Sequence, residues 1–270
     1  MLFRSVIIRE NILRVDDVSN DLMINHEGME FLPEDMIFFD LEHYVYKKPK
    51  CIGVFGACVY NSRTKSLEVT QYMIENRYEG LDILYLAKNY FISMKNKGKK
   101  AIVTFSGNND FTVINYLFQK YGVIYNFNEE FASVDIQKEY ERERKTSIGL
   151  KNLEKQFGII RESEVISGSN LAKTFHKVMK DKDYIKRMPR EKIEKILLYN
   201  EQDVVNLYHI FVNWKSIIFE DKEEDEVSQI KSIEDIEIID EEILDEVAKE
   251  SEEDEEQLED IIIEKEEIAK

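Results

Sequence analysis

Disulfide bonding has little to work with in this chain, because Cys51 and Cys58 are its only cysteines. They stand seven positions apart on an expected strand, so alternation sends them to opposite faces and no bridge is expected between them. Reduced thiols fit the cytosol. The four histidines (His26, His43, His176, His209) show no zinc-type spacing to one another or to the cysteines, which argues against a zinc or thiol enzyme. No apolar run approaches the roughly 18 residues that a membrane helix needs. The patch Ser5-Val6-Ile7-Ile8 is short and is interrupted by Arg9 and Glu10, so no signal peptide is expected. These absences together lead to the expectation of a cytoplasmic protein without a membrane partner.

Glycine and proline are missing altogether from residue 220 onward, where 25 acidic residues stand against 5 basic ones. The formal net charge of −18 therefore resides in that segment, and residues 1–219 hold 30 acids and 32 bases. The sequence divides into a slightly basic globular part and an acidic tail, so the low isoelectric point does not exclude a polyanionic ligand. Within the tail, Ile230, Ile233, Ile236, Ile239, Ile243 and Val247 form one thin apolar stripe at helical spacing. A disordered or transiently helical segment is expected there. It can act as a solubilising element, as the docking site of a protein partner, or as a competitor for basic helices elsewhere in the chain.

What is present begins with Met36-Ile37-Phe38-Phe39-Asp40-Leu41-Glu42, a short apolar run that reads as a buried strand. Alternation puts Phe38, Asp40 and Glu42 on one face and Ile37, Phe39 and Leu41 on the other. Two neighbouring carboxylates on an apolar strand repel each other and are costly to desolvate, so a cation is expected between them. A solvated acidic rim would look the same in isolation.

Further strands are expected at residues 51–60, 67–74, 101–105 and 132–136, with a hairpin connection over 61–66. Helices are expected at 81–94, 110–121, 150–157, 170–178 and 190–214. Residues 1–35 hold a β-like patch from Phe3 to Ile8 and no readable motif. The expected class is α/β: a mixed sheet of three antiparallel N-terminal strands followed by parallel ones, flanked by helices. The expected division is an N-terminal extension over 1–35, a catalytic domain over 36–219 and the acidic tail over 220–270.

Two later places carry acidic residues where core or cap would be ordinary. Asp110 opens a helix, where it can serve as an N-cap. Tyr199 and Asp203 are four apart on the long C-terminal helix and so share a face, bordered by Ile196, Val204, Leu207 and Ile210. Alone, they read as a packing aromatic and a solvated helix charge.

Taken in order, Phe39-Asp40-Leu41-Glu42, the block Thr104 to Phe111 and Tyr199-Asn200-Glu201-Gln202-Asp203-Val204 resemble the DEDD exonucleases of the RNase H-like superfamily, tyrosine subtype. The block Ser147 to Ile159 (SIGLKNLEKQFGI) is similar to the YprB-type bacterial branch, and the resemblance spans about Met36 to Phe211. Asn109 stands directly before Asp110 where that family often has an aromatic, and Phe111 follows.

The resemblance implies that Asp40, Glu42, Asp110 and Asp203 hold two Mg²⁺ or Mn²⁺ ions and that Tyr199 orients the attacking water. It implies a 3′→5′ exonuclease acting on nucleic acid, with single-stranded DNA or RNA as the expected partner. Hard divalent cations favour carboxylate oxygens, and two of them activate water and stabilise the leaving oxygen in phosphodiester hydrolysis. His43 either contacts a phosphate or sits on the rim. Lysines and arginines crowd residues 173–195, and there Lys173, Lys177, Arg187 and Lys195, with Asn109 beside Asp110, are candidate nucleic-acid contacts. An ordinary solvated helical face would carry the same charges. The competing class is a catalytically inactive RNase H-like binding or scaffold protein whose tail docks a partner.

Overall fold

In a computed structural model of the chain, residues 6–16, 18–19, 21, 23–24, 31–162 and 166–218 are described. The acidic tail, with the expectations made for it, lies outside them, as do residues 3–5 of the Phe3 to Ile8 patch. Four strands come first: β1 (Ile7–Arg14), β2 (Met36–Tyr46), β3 (Lys48–Asn61) and β4 (Ser66–Met73). Helix α1 (Gly80–Asn96), strand β5 (Ala101–Thr104), helix α2 (Asn108–Tyr121), the short α3 (Phe127–Glu130) and strand β6 (Ala132–Asp135) follow. The remainder is helical: α4 (Ile136–Arg144), α5 (Leu150–Gln156), α6 (Gly168–Lys180), α7 (Arg190–Val212) and α8 (Trp214–Ile218).

All six strands form one sheet in the order β1-β4-β3-β2-β5-β6. The first four are antiparallel neighbours, and β5 and β6 run parallel to β2. This is the mixed sheet expected, with one more antiparallel strand than the sequence led us to count. Beyond Ile7 and Ile8, which belong to the expected β-like patch, β1 escaped notice because its alternation is not apolar against polar. Its half-buried positions include Arg9 and Asn11, which meet charge on α7: Arg9 lies 3.4 Å from Glu194 and 3.5 Å from Glu201, and Asn11 donates to Glu201 at 3.0 Å. Polar pairing replaces the hydrophobic pattern there.

Strand β2 is buried on both faces, and its alternation sets what lies above and below the sheet. Phe38 packs edge-on against Tyr208 and Phe211 of α7, with ring centroids 5.5 and 5.7 Å apart. On the opposite face Phe39 meets Phe91 of α1 at 5.3 Å and Phe111 of α2 at 6.1 Å. Such aromatic pairs add about 0.5–1.5 kcal/mol each beyond the area they bury. The Asp40 face of β2 is thus the α7 face. Cys51 and Cys58 are both buried and unbridged. Among the described residues no helix is long and apolar enough to cross a membrane.

Candidate metal centre

Strand β2 delivers Asp40 and Glu42 opposite Gly56 and Val54 of β3. Gly56 is what lets α7 settle here. A Cβ at that position would stand 2.1 Å from Asn200 Oδ1, closer than any side chain tolerates. The close approach carries the Asn200 amide into the sheet. Its Nδ2 donates to Asp40 Oδ2 at 3.0 Å, and its Oδ1 accepts from Gln71 Nε2 at 2.9 Å. Gln71 also donates to the Leu197 carbonyl at 2.8 Å, so β4, α7 and β2 are linked through one buried amide pair. Just past Glu42 the register slips at a bulge, where Gly53 is the extra residue and a Cβ would run into the Phe175 ring of α6. Glycine at these two places admits both covering helices.

Asp203 arrives one turn beyond Tyr199 on α7. Carboxylate oxygens of Asp40, Glu42 and Asp203 all lie within 4.8 Å of one another. Glu42 is 8% exposed and Asp203 4%, which rules out a solvated acidic rim, while Asp40 is half-buried. Asp110 is also buried, in the first turn of α2. It is not the N-cap considered for it: that position falls to Gly107, and no side chain caps the helix. The loop that aims this turn is held by Asp135 of β6. Its carboxylate accepts from the backbone N–H of Ser106 at 3.0 Å and of Gly107 at 3.2 Å.

The electrostatics follow from crowding. Burial, then repulsion from Asp203, pushes the Asp40 carboxyl up to about 7. Glu42 is raised well above the usual range by burial and by Asp40, Asp203 and Asp110. Asp110 is raised well above it too, by burial and then by Asp40, Asp135 and Asp203, so it shares the field of the cluster. Burial and the neighbouring carboxylates likewise raise the Tyr199 phenol.

Two cations meet the cluster from one side, at Asp203. Lys151 Nζ donates to Asp203 Oδ1 at 2.7 Å, and Arg161 Nη2 donates to the same oxygen. Both lie over the Tyr199 ring, Lys151 Nζ 4.4 Å and Arg161 Cζ 5.3 Å from its centroid. Arg161 is held in turn by Glu154, with its Nε 2.7 Å from Oε2, and Glu154 accepts from Asn206 at 3.0 Å. One donor, Arg161 Nη1, is buried without a hydrogen-bond partner among the described residues.

Of the residues named from the sequence, Asp40, Glu42 and Asp203 converge, Asp110 lies in their field and Tyr199 flanks Asp203. His43 is half-buried past the bulge, its imidazole held below the ordinary value by burial. Asn109 is exposed beside Asp110. Lys173, Lys177 and Lys195 are exposed and line a groove between α6 and the start of α7, whereas Arg187 lies outside that lining and pairs with Asp181. The residues missed were Asn200, Lys151, Arg161, Glu154 and Asp135. Lys151 and Glu154 sit inside the SIGLKNLEKQFGI block, which was legible as a block but not by role.

A donor set of carboxylates alone, without cysteine or histidine, suits a hard divalent cation. Among the described residues no cation forms an ion pair with Asp40 or Glu42, and their raised carboxyls mark a deficit of positive charge that a metal ion would remove. The cluster can hold one.

Residues 37–215 match the family model described as RNase_H superfamily. No curated protein matches the chain.

Proposed function

From the premise that the chain belongs to the RNase_H superfamily, we propose that it is a divalent-metal-dependent nuclease, a DEDD-type 3′→5′ exonuclease of the tyrosine subtype and the YprB-type branch. The observation that carries this reading is the convergence of Asp40, Glu42 and Asp203 within 4.8 Å, with Asp110 in the same field. Asp40, Glu42, Asp110 and Asp203 would hold Mg²⁺ or Mn²⁺, two ions in this reading. When bound, such ions activate water and neutralise charge on the reacting phosphate.

The chain's own residues supply the rest. Asn200, fixed by Gln71, holds one Asp40 oxygen and so sets the tilt of that carboxylate. Tyr199 presents a phenol beside Asp203 that stays protonated at neutral pH, since its value is raised, and can orient a water through its hydroxyl. Lys151 and Arg161 both pair with Asp203 and so fix the direction of its carboxylate. Arg161 Nη1, a buried donor with no partner among the described residues, is the group left over for a non-bridging phosphate oxygen.

Two ion pairs favour a second reading. Asp203 is already satisfied by Lys151 and Arg161, as it would be in a nucleic-acid-binding protein that has lost catalysis. Calorimetric titration with Mn²⁺ and digestion of 5′-labelled oligonucleotides separate the two. The nuclease reading expects metal binding and stepwise shortening from the 3′ end, abolished in Asp40→Asn at a metal-free melting temperature no lower than that of wild type. Asp40→Asn is cleaner than Asp203→Asn, which would take an ion-pair partner from both Lys151 and Arg161. No metal uptake and no cleavage would leave the binding reading standing.

A further inference from the structure

We propose that the groove between α6 and α7 is a subsite for single-stranded nucleic acid, holding nucleotides a few positions away from the bond being cut; this rests on the nuclease reading above. The groove has a volume of about 550 Å³, within the size range of sites that enclose a small organic ligand. Lysines line both walls: Lys173 and Lys177, one helical turn apart on α6, and Lys192 and Lys195 on α7. Among the described residues lining it Glu191 is the one acid, and it is paired with Lys195 at 3.3 Å. A small anion needs one or two such contacts. Cations repeated along two walls suit a chain of phosphates.

The groove's interior offers bases something to lie on. Leu171 and Ile196 are buried beneath it, and Tyr184 presents a half-buried ring with Lys177 Nζ 5.6 Å from its centroid. Stacking of bases on such rings is worth about 1–3 kcal/mol per base and tolerates any sequence. The hydroxyl of Thr174 already donates to the Asn170 carbonyl at 3.0 Å, so it has no proton to offer a base edge.

Position ties the groove to the carboxylates. Lys192 and Ile196 fall on the same stripe of α7 as Tyr199, Asn200 and Asp203, at spacings of three, four and seven residues. A rise of about 1.5 Å per residue puts Ile196 about 10 Å and Lys192 about 16 Å from Asp203 along the helix axis. At a stacked spacing of about 3.4 Å per nucleotide, that is about three to five nucleotides. A dinucleotide would end short of the groove and an octanucleotide would fill it.

The test uses fluorescein-labelled oligothymidylate and oligouridylate of two and eight nucleotides with the full chain. In EDTA, anisotropy over about 50–200 mM salt is compared between wild type, the variant Lys173→Ala/Lys177→Ala/Lys192→Ala and its Lys→Arg counterpart. Each lysine lost should lower the salt slope by about 0.7, so the triple alanine variant should lose about 2 and bind the octamers at least about tenfold more weakly. The arginine variant should keep both. With Mn²⁺ present, the ratio of kcat/KM for octamer to that for dinucleotide should collapse in the alanine variant. An unchanged octamer affinity, slope and length ratio overturns the groove while leaving the nuclease standing. Octamer binding that follows the lysines, without any cleavage by wild type, overturns the nuclease and keeps the groove.

Discussion

At the residue scale the carboxyl of Asp40 sets a pH dependence whose sign can be worked out. Its value in the folded, metal-free protein is about 7 against 3.8 for an unperturbed group. Between about 4 and 7 the native state therefore keeps a proton that the unfolded chain has released, and stability falls as pH rises through that window. Glu42 and Asp110 are displaced in the same direction. His43 and His209, lowered by burial, act oppositely, favouring the fold as pH rises through their titration. A divalent ion competes only with the carboxylate protons, so the histidine contribution cancels when melting is compared with and without metal. The rise in Tm on adding Mn²⁺ should be clearly larger at pH 8 than at pH 5. Equal rises would mean that the raised carboxyls do not form the metal site.

Tyr199 belongs to the same scale. Tyr199→Phe keeps the ring under Lys151 and Arg161 and removes only the hydroxyl. Turnover should fall by about 10–10³-fold, the usual loss for one positioned group, while the Mn²⁺ dissociation constant stays nearly unchanged. Unaltered turnover would reduce Tyr199 to a packing aromatic that two cations happen to cover.

At the scale of elements, the site depends on how far α7 sinks onto the sheet, and Gly56 decides that. Gly56→Ala would drive a methyl into Asn200, whose two hydrogen bonds to Asp40 and Gln71 leave it no room to swing away. A cost of about 1–3 kcal/mol is expected from overpacking, together with weaker Mn²⁺ binding as Asp40 loses its partner. Urea unfolding and calorimetric titration of the variant check both effects. Gly80→Ala, where nothing lies within 4 Å, is the matched control and should unfold like wild type. Wild-type metal affinity in Gly56→Ala would show that α7 is free to retreat without disturbing the carboxylates.

The same elements explain what the sequence could and could not disclose. Asp40 with Glu42, and Tyr199 with Asp203, were readable because strand and helix periodicities place neighbours within one element on a shared face. Asn200 sits between those two helical residues and was passed over, since an amide there has meaning only once β3 contributes a glycine opposite Asp40. Lys151 and Arg161 reach Asp203 from 52 and 42 residues away, through helix crossings that no local pattern encodes. Asp135 looked like the end of a strand; its role appears only when β6 lies beside β5 and its carboxylate meets the loop before α2. Strand β1 was hidden for a related reason, its inward side being matched to charges on α7 rather than to a hydrophobic layer.

At the scale of the whole molecule the charge is divided unevenly enough to matter for binding. Residues 220–270 carry 25 acids and 5 bases, while residues 1–219 carry 30 and 32. A tethered polyanion that competed for the lysines between α6 and α7 would do so at an effective concentration that free nucleic acid has to exceed. If the tail competes for Lys173, Lys177, Lys192 and Lys195, its effect must follow the reach of unscreened charge. That reach is about 30 Å at 0.01 M ionic strength, about 8 Å at 0.15 M and about 3 Å at 1 M. Truncation after Phe219 should therefore tighten binding of an eight-nucleotide single strand severalfold near 0.02 M salt, and the gain should vanish by about 0.5 M. The alanine variant of Lys173, Lys177 and Lys192 should show little of that gain at any salt, because the groove for which strand and tail compete is gone. Identical affinities of full-length and truncated protein across the whole salt range would remove the tail from nucleic-acid binding and leave it to solubility or to a protein partner.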